Sequence, residues 1–433
     1  MTIRDHHGLA VSGASAAAAD AYRQALHGYY CYVGDPMTLL QAACEDSPAF
    51  VMGQALAAYM ALIGTNAAAQ EAGVHTYEAM KDLPCNDREA GHVAAIGHLI
   101  AGEYRQAGRV LEDVSIAWPT DSLALQVGQL VDFCRGDSRM LRDRIGRALP
   151  HWSASAPDYH AVLGMLAFGL EECGQYARAE DAGRQSLALE PRNGWAKHAV
   201  AHVMEMQGRR EDGVAWMRTD PQAWAGDSFF QVHNWWHLAL FHLGLGDIDE
   251  VLALYDGPIY GARSDMAVDM VDAAALLWRL HLLGVDVGAR FATLADVYAA
   301  APHGLYAFDD AHAMMAYVGA GRMEAGRALL AQQAAVLFAP GDNAGFVADV
   351  GRPVMQGLLA FGEGRYAEAA DALRGVRNQS ARYGGSHAQR DIIDLTLIEA
   401  ARRGGDRSLE AALRAERAVA HGTAEIDAVR LAA

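Results

Sequence analysis

Three things are scarce in this sequence: basic charge, cysteine and long apolar runs. Against 53 Asp and Glu stand 35 Lys and Arg, a formal net charge of −18. Proteins that bind nucleic acid neutralise its phosphates with clustered positive charge, so no nucleic-acid partner is expected, although a local basic pocket for a small anion stays open. The five cysteines, Cys31, Cys44, Cys85, Cys134 and Cys173, are odd in number, far apart and never arranged C-x-x-C. They read as free, buried thiols in a reducing compartment. No apolar run approaches the ~20 residues needed to span a bilayer. The opening MTIRDHHGLAVSGASAA is short and mixed where a secretory signal would be basic and then apolar, so no membrane is expected and the cytoplasm is the expected location. G-x-G-x-x-G, Walker and G-x-S-x-G motifs are absent too, which leaves nucleotide and serine-hydrolase chemistry without a basis.

What is present is a long apolar chain with periodic breaks. The 433 residues are 52% apolar and 20% charged, enough to bury a continuous interior but too many for one ordinary compact core. Residues 1–15 are expected to form a flexible arm. Beyond them, short breaks follow apolar helical runs at Gly34, Gly64, Gly102, Gly136, Gly174, Gly208, Gly246, Gly284, Gly321, Gly364 and Gly404, at intervals of 30 to 43 residues. A stack of helix-turn-helix hairpins produces such spacing, because two short amphipathic helices cannot bury their apolar faces without neighbours. The expected fold is all-α: a right-handed superhelical solenoid of about ten helical hairpins forming a single domain over residues 16–433.

The stretch AFGLEECGQYARAEDAGRQSLALEP, from Ala167 to Pro191, resembles a tetratricopeptide repeat, with Gly174, Tyr176, Ala179, Ala188 and Pro191 at the turn, packing and stop positions of that repeat. Within that superfamily, WAKHAVAHVMEMQGR, HNWWHLALFHLGLGD and GGSHAQRDIIDLTLIEAA resemble the tetratricopeptide repeat protein 38 family. The resemblance implies a fold and no particular activity. It also implies that residues about thirteen, ten, six and three before each turn glycine line a concave inner surface. Trp195, His198, His202 and Glu205 occupy those places before Gly208, and His233 and Trp236 two of them before Gly246. Trp278 and Phe308 fall on the same arc, with His237 and His312 at its edge. His98 and His242 fall on the opposite side, where packing between helices is expected.

Paired histidines four residues apart share a helix face. Imidazoles and a carboxylate converging from two helices suit Zn, Mn or Fe, so a divalent transition metal held by His198, His202 and one of His233 or His237 is one reading, with Glu205 as fourth ligand or general base. Ala199 follows His198, so the H-E-x-x-H hydrolase pattern is missing. The alternative is that the histidines bond one another, Glu205 and water, stitching adjacent helices together. In GGSHAQRD, Ser386 is expected to cap a helix whose N-terminus, with Arg390 and His387, forms an anion site; Arg390 paired to Asp391 or Asp394 is the alternative. Asp309 or Asp310 is a candidate to orient His312. The functional expectation is a binding protein whose groove, lined by Trp195, His198, His202, His233, Trp236, Trp278, His387 and Arg390, captures a small molecule or peptide. The alternative is an enzyme, metal-dependent or not, with Glu205, His237 and His312 as its acid and base groups.

Overall fold

The computed structural model describes residues 3–421. Among them the regular elements are helices, with two isolated β-bridges, and consecutive helices pair into hairpins: the fold is an all-α helical repeat. The contacts group the chain into two compact units, Met1–Val200 with Asp220–Gln231, and Ala201–Thr219 with Val232–Ala433.

In the first unit the hairpins run from Ala16–Cys31 with Pro36–Asp46 to Tyr159–Glu171 with Tyr176–Leu189. Local chemistry sets their starts. Asp35 accepts from the Thr38 N–H ahead of Pro36, and Asn86 and Glu89 form a reciprocal capping box, which satisfies amide hydrogens that a helix cannot satisfy internally. Their ends repeat one motif. At Gly102, Gly136 and Gly174 φ is 72°, 65° and 71°, and the next residue's N–H reaches back to a carbonyl five residues earlier, as in Gln175 to Leu170 at 2.8 Å. This is the Schellman arrangement, in which only the left-handed residue lets the chain fold back. Two of the expected turn glycines do not supply it. Gly64 has φ −74° and Thr65 takes the left-handed position at φ 50°, while Gly404 ends a helix whose cap is Gly405 at φ 80°. In both places the turn falls one residue later than the periodicity predicts.

Residues 3–15, expected as a loose arm, are bonded to this unit. The Ser12 N–H donates to Glu89 at 2.7 Å and Arg88 to the Ala10 carbonyl at 2.9 Å, while His6 and His7 both reach Asp158. Residues 220–231 return to the end of the first helix, where Gly34 N–H donates to Asp227 O at 2.9 Å and Phe229 N–H to Tyr32 O at 3.0 Å. The deepest ion pair is Arg144 with Asp132, both fully buried, joined by bonds of 2.8 and 3.1 Å. Gly128 makes room for it, since a Cβ there would lie 2.7 Å from the guanidinium.

The second unit starts within the helix Gly194–Met206, which belongs to the first unit through Val200 and to the second from Ala201. Its hairpins then pair Gln231–Leu245 with Ile248–Leu254, Ala267–Leu283 with Arg290–Ala300, Ala307–Gly319 with Met323–Val336, Arg352–Gly362 with Tyr366–Val376, and His387–Gly404 with Arg407–His421. Helices approach closely where glycine permits: a Cβ at Gly213 would lie 2.4 Å from the Phe241 ring. The five cysteines are free, as expected, but Cys31 alone among them is buried and Cys85 is exposed.

The Arg144–Asp132 pair generates a stability prediction. Arg144→Met leaves a buried carboxylate uncompensated and should cost ~3–5 kcal/mol. Adding Asp132→Leu should recover most of that loss, because the pair's mutual attraction largely offsets its own desolvation. Urea unfolding of wild type, single and double variants measures both effects.

Candidate functional site

The imidazoles of the second unit converge. His202 and His237 are fully buried, their ring centroids are 4.4 Å apart, and those of His233 and His237 are 4.9 Å apart. One ring nitrogen from each of His202, His233 and His237 lies within 4.8 Å of the others. The expectation that the first histidine helix faces the second is met for these residues. His233 Nδ1 lies 3.0 and 2.9 Å from the two oxygens of Asp272. A carboxylate only accepts, so Nδ1 carries the hydrogen, and in the neutral ring the lone pair is on Nε2. Trp236 stacks on His233 at 5.3 Å and meets His237 edge-on at 5.0 Å. Burial pulls the pKa of His237 well below the ordinary imidazole value, and the neighbouring His202, His233 and Arg279 lower it further. It is therefore a neutral ring at physiological pH.

Arg279 stands beside this cluster. Its guanidinium lies 5.3 Å from the Trp236 ring centre and donates to the carbonyls of Ala275 at 3.0 Å and Ala388 at 2.5 Å. Burial brings its pKa down to about 10, with Asp391 and Glu205 pushing the other way, so it remains a cation at neutral pH. It borders a partly open pocket whose wall carries the carboxylates Glu205, Asp391 and Glu399 and the guanidinium groups Arg210, Arg279 and Arg417 among leucine side chains. Arg417 grips Asp391 through two bonds of 2.5 and 2.9 Å.

The other predicted residues have packing or bonding partners of their own. Glu205 lines the pocket and does not belong to the nitrogen cluster. His198, one turn before His202, packs in the first unit against Trp195 at 4.9 Å and Phe168 at 5.5 Å. Trp195 itself stacks with Tyr32 at 5.7 Å. Trp278 is interior packing: it is fully buried and donates from Nε1 to Thr396 at 2.8 Å. His312 is oriented by the Phe308 carbonyl at 2.8 Å and not by an acid, because Asp310 is engaged with His303, Gly304 and Gln333. Burial brings His312 down to about 4. Ser386 does cap its helix, in a capping box with Gln389. Arg390 turns back onto the Gly385 carbonyl, while Asp391 pairs with Arg417 and Asp394 with Arg377. His98 and His242, expected between helices, bond to Glu103 at 2.6 Å and Asp247 at 3.1 Å, in each case a residue just past the turn glycine, and His242 also meets Arg218 of the neighbouring helix at 3.2 Å.

Sequence reasoning missed Asp272 and Arg279. The signal was there: they are the two charges in the apolar run from Met270 to Leu283, and seven residues apart they share one helix face. It also missed the titratable network of the first unit. There Asp121 is bonded by Arg88 at 2.9 Å and His92 at 3.0 Å, and Asp158 by His6 at 2.6 Å and His7 at 3.0 Å. Ser122 Oγ lies 3.1 Å from His7 Nε2, the same nitrogen that faces Asp158. A Ser-His-Asp relay needs the two ring nitrogens to face opposite partners, so this trio is not one.

No family model matches the chain. A chain of the crystal structure of the APC/C hetero-tetramer Cut9–Hcn1 is similar at 11% identity and a TM-score of 0.39, and the match covers 76% of this chain. It spans 60% of that chain's length. The second unit's site stands on its own geometry.

The first unit's carboxylates set an acid limit. Burial alone would raise Asp121 and Asp158, but His92 and Arg88 on one, and His6 and His7 on the other, hold both carboxyls well below the usual range. Depressed carboxyl pKa values contribute stability above the unfolded value, about 3.9 for Asp, and that stability is lost as pH falls from there through the folded values. Unfolding free energy should therefore decline steeply below about pH 4. Asp158→Asn should be less stable at pH 6 and show a shallower acid decline, as read from urea titrations at stepped pH.

Proposed function

We propose that the second unit is a binding module that takes a small molecule or short peptide segment into the pocket bordered by Arg279. The observation that carries this reading is a buried guanidinium bordering a partly open pocket whose wall holds both signs of charge among apolar side chains. Such a wall suits a ligand with an acidic group at one end and an aliphatic body, because charge-assisted bonds fix the acid while the leucines desolvate the rest. Glu205, Asp391 and Glu399 favour a ligand that also carries a donor or positive group, as an amino acid or peptide terminus does. His387 and Arg390 belong to this reading only as the helix start beside Ala388, whose carbonyl holds Arg279. On the strings around the histidine helices we also propose kinship with the tetratricopeptide repeat protein 38 family. The enzymatic alternative gains one supporting observation: Glu205, His237 and His312 are each within the electrostatic reach of Arg279.

Calorimetric titration with leucine-containing dipeptides, N-acetyl-leucine and medium-chain fatty acids tests the pocket. At least one of these probes should bind, and Arg417→Ala should lose a charge-assisted contact of ~1.5–3 kcal/mol, roughly 10- to 100-fold in Kd. Absence of binding across these probes, or unchanged affinity in both Arg417→Ala and Arg210→Ala, contradicts the reading.

A further inference from the structure

We propose that His202, His233 and His237 together bind one divalent transition-metal ion of the zinc or cobalt type, with Asp272 as the positioning residue that presents His233 to it. This site is independent of the pocket reading and rests on three observations about geometry.

The first is convergence. Nitrogens from three imidazoles on two different helices lie within 4.8 Å of one another, in a place where His202 and His237 have no exposed surface. A tetrahedral site with metal–nitrogen bonds of 2.0–2.1 Å needs nitrogens about 3.3 Å apart, so modest ring rotations draw the set inward without moving a helix. The second is tautomer. Asp272 holds His233 through Nδ1 with both oxygens, leaving Nε2 as the ligand atom; a carboxylate behind a ligating imidazole fixes the ring and raises its basicity. Trp236, stacked at 18° to the His233 ring, holds its plane. The third is charge. Three neutral imidazoles bring no counter-charge, so a dication needs anions close by. Asp272 supplies one. Arg279 opposes the ion, and its own balance with Glu205 and Asp391 limits that opposition.

Two other clusters of possible ligands lie in the first unit and fit less well. His6 and His7 both direct Nε2 at one oxygen of Asp158, an ion-pair arrangement. His27, Cys31 and His160 also gather within 4.8 Å, but His160 Nδ1 accepts from the Asn193 amide at 3.2 Å. That amide is held in place by its own oxygen capping Ala196 at 3.0 Å, so the His160 hydrogen sits on Nε2, where a ligand would need a lone pair.

The test uses full-length, tag-free protein stripped of metal, titrated with Zn²⁺ by calorimetry and with Co²⁺ by visible absorption. One equivalent of each should bind, Co²⁺ giving d–d bands without a thiolate charge-transfer band. His202→Ala and His237→Ala should abolish binding, Asp272→Asn should weaken it ~10- to 100-fold, and Cys31→Ser should leave it unchanged. Circular dichroism of each metal-free variant establishes that it folds. A wild type that binds no equivalent of either ion, a thiolate band, or a folded His202→Ala that retains affinity overturns the proposal. If the histidine variants do not fold, X-ray absorption of the Co²⁺-loaded wild type decides. Three imidazole ligands support the site; a sulfur ligand or fewer than three imidazoles rules it out.

Discussion

A helical-repeat interior is built from apolar helix faces, and a charge placed there must be answered locally. Arg279 is that charge in the second unit. Moving a guanidinium out of water costs several kcal/mol even after relaxation, so the surroundings are arranged around it. Two backbone carbonyls accept its hydrogens, Trp236 offers its face, and Asp391, Glu205 and Asp272 supply negative potential. Those same neighbours are the parts of the candidate site. Asp391 and Glu205 line the pocket, Asp272 holds His233, and Trp236 stacks on it. The positive field of Arg279 also helps to keep His237 neutral, which is the form a lone-pair donor needs. Pocket and imidazole cluster are thus two consequences of one buried cation.

The hairpins make this possible by repeating a turn. Each left-handed glycine ends a helix at a defined residue, and the Schellman bond that follows it fixes how the next helix departs. Side chains counted back from those glycines therefore arrive at comparable positions in successive hairpins. His202 and His237 meet because their helices end in the same way, at Gly208 and Gly246 with φ of 65° and 79°. The first unit uses the same scaffold differently. Asp121, Asp132 and Asp158 there are held by Arg or His partners, which tie helices and the opening residues together.

Much of this was legible from the glycine ruler. Helix period and turn spacing are local properties, and they gave the hairpins, the helix capped by Ser386 and the meeting of His202 with His233 and His237. What the ruler could not supply was partner choice. Asp272 lies 39 residues from His233, and nothing local marks the pair; only the placement of one helix beside another joins them. Asp310, a candidate partner of His312 by its place in the sequence, bonds instead to His303 in the preceding loop and to Gln333 on the next helix. Trp278 reads as a pocket wall by its register, yet Thr396, more than a hundred residues on, takes its only hydrogen. The turns at Thr65 and Gly405 show the other limit: a ruler built on glycine slips by one residue where the left-handed position falls beside the glycine and not on it.

The central claim is that the second unit's imidazoles are set by their surroundings, His233 turned by Asp272 and His237 kept neutral by burial. Joint X-ray and neutron diffraction from a crystal of metal-free protein at neutral pH tests it most directly. The account predicts deuterium on His233 Nδ1 pointing at Asp272, and a singly deuterated His237 beside a fully deuterated Arg279. Deuterium on both nitrogens of His237, or on Asp272 with His233 Nδ1 bare, would contradict it.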